Sequence, residues 1–388
     1  MSTDLRKSLC GYGFILPWLI ALVVFIAFPF LAGFYFSFCE YPPLQDPLFI
    51  GLENYAELTG DAVFHRSLGT TMIYAAVAIP LGVLLSFTLA MLLNSRIRGQ
   101  GIYRVVFYLP HLVPTVVVAI LWMWILNPEF GLINWVLGAA LSVIDGWTNL
   151  FFDLAAALGR GNFLRPQAIA LLIAPALAVP AFGSWLRREP KLRGALKAAA
   201  VAAIVLGAVA VVNVLLHYLL PIDMKKLHSP GWLSDGNPFP SGISFAPPWA
   251  LWGLIVMSMW GVGQMAIIYL AKLQDVPVEL YEAADIDGAS WLKKTRHITI
   301  PMMSPVILFN VVMAIIGTFQ VFTEPYIMTG GGPEDKTRFV AMFVYDQAFQ
   351  YQRVGYASAV AWVLFLLIVG LTLLAFRASR KHVYYAGR

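Results

Sequence analysis

Charge is what this chain has least of. Only 12% of its 388 residues are Asp, Glu, Lys or Arg, while 60% are hydrophobic; a soluble domain carries about 25% charge. A cytosolic protein of that balance would have too little polar surface to face water, and a disordered chain needs the reverse balance, so both are excluded. Cysteine is equally scarce. Cys10 and Cys39 are the only two, too few for a disulfide framework or a Cys-rich metal site. They bracket the first apolar run, and a continuous helix between them would hold them about 44 Å apart, far beyond disulfide reach. No Gly-x-x-x-x-Gly-Lys-Ser/Thr loop occurs, so the chain has no phosphate loop with which to hydrolyse ATP. Neither a His-Glu-x-x-His run nor a paired His/Cys set is present, and neither a metal site nor catalytic residues are expected.

What is abundant is apolar length. A membrane helix needs about 20 apolar residues to cross about 30 Å of hydrocarbon at 1.5 Å per residue. Eight runs free of Asp, Glu, Lys and Arg qualify: 12–38, 67–94, 105–126, 167–186, 198–220, 249–271, 303–323 and 355–376. The first is too long for a cleaved signal peptide and has no small-residue cleavage site, so it is read as a span. Basic residues fix the orientation. With the N-terminus inside, 18 of the 26 Lys and Arg fall on cytoplasmic segments, and 14 of the 21 Asp and Glu fall outside. Both termini are therefore expected in the cytoplasm. If 127–248 were instead one external loop, the basic residues would divide 13 against 13, which favours eight spans over six. Pro175 and Pro180 in the fourth run are tolerable only where neighbouring groups satisfy the freed carbonyls. The basic residues track one membrane face and form no single patch, so no nucleic-acid partner is expected. A secondary transporter would need inverted repeats and intramembrane ionisable groups, and neither is seen.

The informative stretch is the cytoplasmic loop 272–302. Pro277 suits a helix start with Asp275 before it as N-cap, and Glu279, Glu282 and Asp285 recur every three residues along one face. Gly288 ends the helix, and Pro301 is expected to break the chain before the next span. A short amphipathic helix presented to the cytosol is either a docking knob for a soluble partner or a solvated interfacial helix.

Glu282-Ala283-Ala284, three residues, Gly288, nine residues, then Ile298-x-Ile300-Pro301 resembles the loop signature of permease subunits of binding-protein-dependent ATP-binding cassette importers. Ile300 replaces the usual Leu, apolar for apolar. Asp285, Asp287 and Ala289 extend the match. Further matches are Gly51-Leu52-Glu53-Asn54-Tyr55, Asn127-Pro128 with Gly131 to Asn134, Thr329-Gly330-Gly331-Gly332-Pro333 and Gly355-Tyr356-Ala357-Ser358-Ala359. Together they are similar to the carbohydrate permeases of the maltose and glycerol-phosphate type. The resemblance covers about 1–140 and 229–388.

It implies an all-α polytopic membrane protein of the type I importer kind, with a six-span core and an inserted hairpin. The segments are 1–66 (first span and external loop), 67–140 (second and third spans), 141–228 (insertion) and 229–388 (core spans with the loop 272–302). It implies a non-enzymatic transport subunit in a bacterial or archaeal cytoplasmic membrane, with the lipid bilayer as its surroundings. Its partners would be a pair of ATPase subunits that hold the ATP and magnesium, a second related permease and an external solute-binding protein. The cargo would be a sugar, oligosaccharide or polyol phosphate. A permease for a non-sugar solute, a secondary transporter and a membrane-embedded enzyme are the competing readings. Glu282, Ala283, Ala284, Asp285, Asp287, Gly288, Ile298 and Pro301 would couple the chain to the ATPase.

The seventh run carries a small, partly polar stripe, Asn310, Ala314, Thr318 and Val321 at helical spacing, with Gly317 beside it. Polar groups at that depth line a cavity or bond between helices. The resemblance tips Gly317 and Thr318 towards sugar contact, with Asn310 on the same stripe. His111 reads as a hydrogen-bonded structural histidine. Trp122, Trp124, Trp135, Trp249 and Trp252 read as an interfacial aromatic belt.

Overall fold

The computed structural model describes residues 15–95, 99–136, 138, 231–236, 248–380 and 383. Two compact units result, Met1–Ile120 with Leu254–Arg388, and Leu121–Gly253. The expected fourth and fifth spans, Pro175, Pro180 and Cys10 lie outside the described residues.

The elements in order are α1 (Ile15–Phe36, with a π turn at Val23–Ala27), β1 (Cys39–Glu40), β2 (Leu48–Phe49), α2 (Glu53–Gly60), α3 (Ala62–Asn94), α4 (Gln100–Leu112) and α5 (Thr115–Ile125). Then come α6 (Trp249–Trp260), α7 (Gly263–Gln274), α8 (Val278–Ile286), α9 (Trp291–Lys294), a π turn at Thr295–Thr299, and α10 (Ile300–Phe319). The chain ends with α11 (Thr323–Met328), α12 (Val340–Tyr345), a π turn at Asp346–Gln350, and α13 (Val354–Ser379).

Four of these helical stretches are long and apolar enough to cross a membrane: Ile15–Phe36, Ala62–Asn94, Trp291–Met328 and Val354–Ser379. Two bent pairs raise the number to six if each counts as one span. The expected third span is one of them. It is no straight rod: the chain turns by 102° between α4 and α5, where Pro114 supplies no N–H and holds Val113 extended. The expected sixth span bends by 42° between α6 and α7, at Gly261.

In the first unit, α3 packs against α7 and α10, α10 against α13, and α13 against α1. Ala90, Leu93, Ala266, Tyr269, Leu270, Leu273 and Met303 form one cluster. Leu58, Phe64, Val340, Phe343, Tyr356 and Val360 form another, where α2, α12 and the start of α13 meet α3. Ser67, Thr71 and Ser86 are buried on α3 and donate back to the carbonyls of Val63, Ser67 and Gly82 at 2.9, 2.8 and 2.6 Å. Each hydroxyl is thereby satisfied within its own helix, as a low-dielectric interior demands. The outward faces stay apolar, with Phe25, Phe28 and Leu31 on α1 well exposed, the surface expected where lipid replaces water.

The motifs outside the cytoplasmic loop prove to be packing devices. Asn54, 5% exposed, donates to the carbonyls of Ser37 and Cys39 at 3.0 and 2.9 Å, and the Tyr55 hydroxyl donates to Ser37 Oγ at 2.8 Å. The connection after α1 is thus stapled to α2. A Cβ on Gly355 would meet the Cys39 carbonyl oxygen at 2.0 Å, so only glycine lets α13 start there. In the Thr329–Pro333 turn, Thr329 and Thr337 share a hydrogen bond of 2.7 Å between their hydroxyls, and Val340 N donates to Thr71 Oγ1 at 3.1 Å. The three glycines are therefore part of a turn pinned to α3.

Within the second unit, Asn127 Oδ1 accepts from the backbone N–H groups of Glu129 and Phe130, and Asn134 Oδ1 accepts from Trp232 Nε1 at 2.7 Å. Trp249 is 4% exposed and sits edge-on to Trp232 with 5.2 Å between ring centroids. The expected aromatic belt therefore splits. Trp124 and Trp135 are exposed as a belt requires, while Trp122 and Trp249 are buried in packing. His111 is exposed in the last turn of α4, where its ring lies 5.7 Å from that of Tyr108.

Candidate functional site

The cytoplasmic loop folds as a helix, a turn and a helix. Asp275 is not the N-cap of α8. It ends α7 and lies 3.8 Å from Lys272, while Pro277 occupies the cap position with extended backbone and no side-chain acceptor. The reason is the buried Val276, 5% exposed, which anchors the connection and leaves Pro277 to fix the entry into α8.

The C-terminus of α8 is closed by a full Schellman arrangement. Gly288 adopts φ +69°, its N–H donates to the Asp285 carbonyl at 3.1 Å, and Ala289 N–H donates to the Ala284 carbonyl at 2.9 Å. A Cβ at Gly288 would meet nothing within 4 Å, so glycine is needed there for its backbone and not for space.

Beyond the turn, the chain is not broken at Pro301. One helical stretch runs from Trp291 to Met328. Pro301 lies in the first turn of α10, and the π turn at Thr295–Thr299 just before it re-routes the hydrogen bonds, with Ile300 N–H donating to the Thr295 carbonyl. Helix α8 is tied to this stretch twice. Tyr281 and Thr299 share a hydroxyl–hydroxyl hydrogen bond of 3.0 Å, and Lys294 Nζ donates to Asp285 Oδ1 at 2.7 Å. These two hydrogen bonds join α8 to the root of α10.

Glu279, Glu282, Ala283, Asp285 and Asp287 face outward, Ala284 and Ile298 are half-buried, and Pro301 is half-buried at the helix root. Ile286, Trp291 and Leu292 are 88%, 66% and 68% exposed. This apolar flank beside the acidic face escaped the sequence reading. The signal was present in three large apolar residues inside an otherwise charged loop.

The second group of expected residues is divided by the fold. Asn310 is 1% exposed, and its amide stands next to the hydroxyl of fully buried Tyr269. The two groups face each other, and neither Asn310 Nδ2 nor that hydroxyl makes a hydrogen bond of regular geometry among the described residues. Thr318 is half-buried and Gly317 exposed with open space around it, near the end of α10. Ala314 is buried with Asn310, and Gln320 is exposed at the helix end.

Apolar helices long enough to span a bilayer, with a charged helix–turn–helix tied to the root of one of them, define a polytopic membrane component. The comparisons make the assignment specific. The chain belongs to the family described as binding-protein-dependent transport system inner membrane components, which matches residues 78–382. It is 29% identical to the probable ABC transporter permease protein YesP of Bacillus subtilis, over all of this chain and 96% of that one. It is 25% identical to the trehalose/maltose transport system permease protein MalF of Thermococcus litoralis, over 97% of this chain and 95% of that one. Among solved structures, it shares its fold with a bacterial alginate ABC transporter in complex with an alginate pentasaccharide-bound periplasmic protein. There the TM-score is 0.61 at 17% identity, over 97% of this chain and 96% of that one. The chain is a permease subunit and not an enzyme.

Proposed function

We propose that this permease moves a carbohydrate, delivered by an external solute-binding protein, through a pore completed by a second related permease. A separate pair of ATPase subunits, holding ATP and magnesium, would power it. The observation that carries this reading is the exposed acidic face and apolar flank of the α8 turn, tied by Tyr281 and Lys294 to the root of α10. Glu282, Ala283, Ala284, Asp285, Asp287 and Gly288 would meet the ATPase, with Ile298 and Pro301 forming the root that passes the movement on. The named cargo of the trehalose/maltose relative supports a carbohydrate here.

In this reading the N- and C-termini are cytoplasmic, the insertion 141–228 adds two spans to a six-span core, and the chain crosses eight times. Thr318 and Gly317 would line the sugar path, with Asn310 deeper on the same stripe; amide and hydroxyl groups supply both donors and acceptors for sugar hydroxyls. The test is purification of the tagged chain followed by reconstitution. An ATPase subunit should co-purify, and liposomes holding the complex should take up a labelled oligosaccharide only with ATP inside and binding protein outside. Uptake without an ATPase, driven by an ion gradient, would overturn the proposal.

A further inference from the structure

A second feature, apart from the turn after α8, lies at the outer end of α10. Among the described residues of the first unit, the carboxylates withdrawn from full exposure are Asp61, Glu324, Asp335 and Asp346. Three of them are matched inside the chain. Asp61 accepts from the N–H groups of Val63 and Phe64 with one oxygen and from the Tyr356 hydroxyl with the other. Arg338 donates to Asp335 at 2.8 Å and also pairs with Asp346. Glu324 accepts no hydrogen bond and pairs with no cation among the described residues. Its oxygens nevertheless keep accessible surface.

In sequence, Glu324 is the first charged residue after the apolar run 303–323. The fold turns it inward. Its charge acts on the hydroxyl of Tyr74, which is 4% exposed and faces Ser258. Tyr74 and Ser258 stand seven and nine residues inside their own runs, about 10 and 14 Å from the outer ends at 1.5 Å per residue. The helix opens just before Glu324: α10 stops at Phe319, α11 starts at Thr323, and Gln320 between them is exposed. Non-helical backbone at membrane depth persists only where protein buries it or a water-filled cavity meets it. The exposed Gln320 favours the second. Glu324 also follows Val321, the last member of the small, partly polar stripe, by three residues, which puts it at the outer end of the path proposed for the sugar. An unmatched charge in such a place is costly to keep and marks a solute pathway.

We infer that Glu324 is a charge filter at the outer mouth of the sugar path, admitting neutral sugars and turning back anionic ones such as sugar phosphates and uronates. The inference rests on the carbohydrate-importer reading and deepens it by naming the charge class of the cargo. The carboxylate meets an arriving anion with no counter-charge from the described residues beside it, and the buried surroundings of Tyr74 screen its field less than water would. A neutral sugar feels no such repulsion, and its hydroxyls can donate to the carboxylate oxygens.

The test uses the assembled importer in lipid nanodiscs, without binding protein, so that no outside selection intervenes. It is titrated by ligand-observed NMR with maltotriose and with trigalacturonate, a neutral and an anionic trisaccharide. Maltotriose should bind more than about tenfold tighter, and Glu324→Gln should narrow that gap about tenfold, the order of one charge–charge repulsion at a partly buried site. Glu324→Asp keeps the charge and should preserve the gap. Added salt should narrow the gap in the parent complex and leave Glu324→Gln unchanged. A merely structural role at the start of α11 would not give that salt response, and the parent complex reports it even if a variant fails to fold. An equal gap in the parent and Glu324→Gln would overturn the inference, as would tighter binding of trigalacturonate, or binding of neither sugar, by the parent. So would a Glu324→Gln complex that keeps the gap but sheds the second permease or the binding protein, since Glu324 would then meet a protein cation. Failure of the importer reading itself shows elsewhere, as a complex with no co-purifying ATPase and no ATP-driven uptake whatever stands at 324.

Discussion

Asp61 does two jobs with two oxygens. Oδ1 caps α3 through Val63 and Phe64, and Oδ2 accepts the hydroxyl of Tyr356, which is 2% exposed. Losing a cap costs about 1 kcal/mol, and orphaning a buried hydroxyl about 1–3 kcal/mol more. Asp61→Ala should therefore lower the thermal unfolding midpoint of the detergent-solubilised chain clearly more than Tyr356→Phe, which removes only the second bond. Equal losses would mean the cap contributes nothing. Asp346 gives a pH signature. Burial pushes its carboxyl above the ordinary range, and the repulsion of Asp335 adds to this while Arg338 opposes it. The folded chain then holds a proton that the unfolded chain has already lost, so stability rises as pH falls through the interval between the ordinary and the raised value. Glu334, held low by Lys336, contributes the opposite slope, but it is exposed and screened. Melting curves across that interval should show the Asp346 slope in the parent chain and its absence in Asp346→Asn. None of this was legible in the sequence, because which carboxylates are buried depends on partners far along the chain.

The turn after α8, proposed to couple the chain to the ATPase, was the most legible element. The Glu-Ala-Ala spacing, the three-residue acidic periodicity and the glycine stop all lie within one short stretch, so local rules suffice to read it. What escaped are features set by its fit to the rest of the chain: the extended Pro277 cap, the tie from Tyr281 to Thr299, and the π turn that carries the helix past Pro301. Glu282→Lys should leave the protein in the membrane and sharply reduce ATP-driven uptake, with ATP hydrolysis no longer following transport. Gly288 makes a finer distinction. Forcing a non-glycine residue into its left-handed conformation costs about 1–2 kcal/mol whatever the side chain, and the site has open space around it. Gly288→Ala and Gly288→Trp should then melt alike, while only Trp strongly impairs coupling, since only the partner ATPase can collide with it. Equal coupling in the two variants would remove α8 from the contact.

At the scale of the molecule, composition alone dictated a membrane body, and the apolar runs located its helices. Their shapes were less accessible. The runs 105–126 and 249–271 looked like single spans, but each is bent, by 102° and 42°. Counting apolar residues measures length and is blind to a turn at Pro114 or Gly261. The stripe at Asn310, Gly317 and Thr318 was likewise visible as a periodicity, yet the first is enclosed by the chain while the other two stand near an open helix end. The proposed count of eight spans is open to direct measurement. A cysteine introduced within 189–195 should react only with a reagent that enters the cytosol. Labelling from outside intact cells would place that segment externally and leave six spans.

One glycine sets a mechanical rule for any cycle this permease undergoes. A Cβ on Gly263 would lie 1.8 Å from the Phe107 carbonyl oxygen, so α7 and α4 touch backbone to backbone at that point. The next residues on that face of α7, Ala266 and Ile267, both carry the atom that does not fit against Phe107. A slide by one helical turn is thus opposed, and the expected motion is a rocking of the two helices about this contact, like a lever on its fulcrum. Spin labels on the far ends of α4 and α7 should therefore report large distance changes between ATP-free and ATP-trapped states, while a pair flanking Phe107 and Gly263 stays fixed.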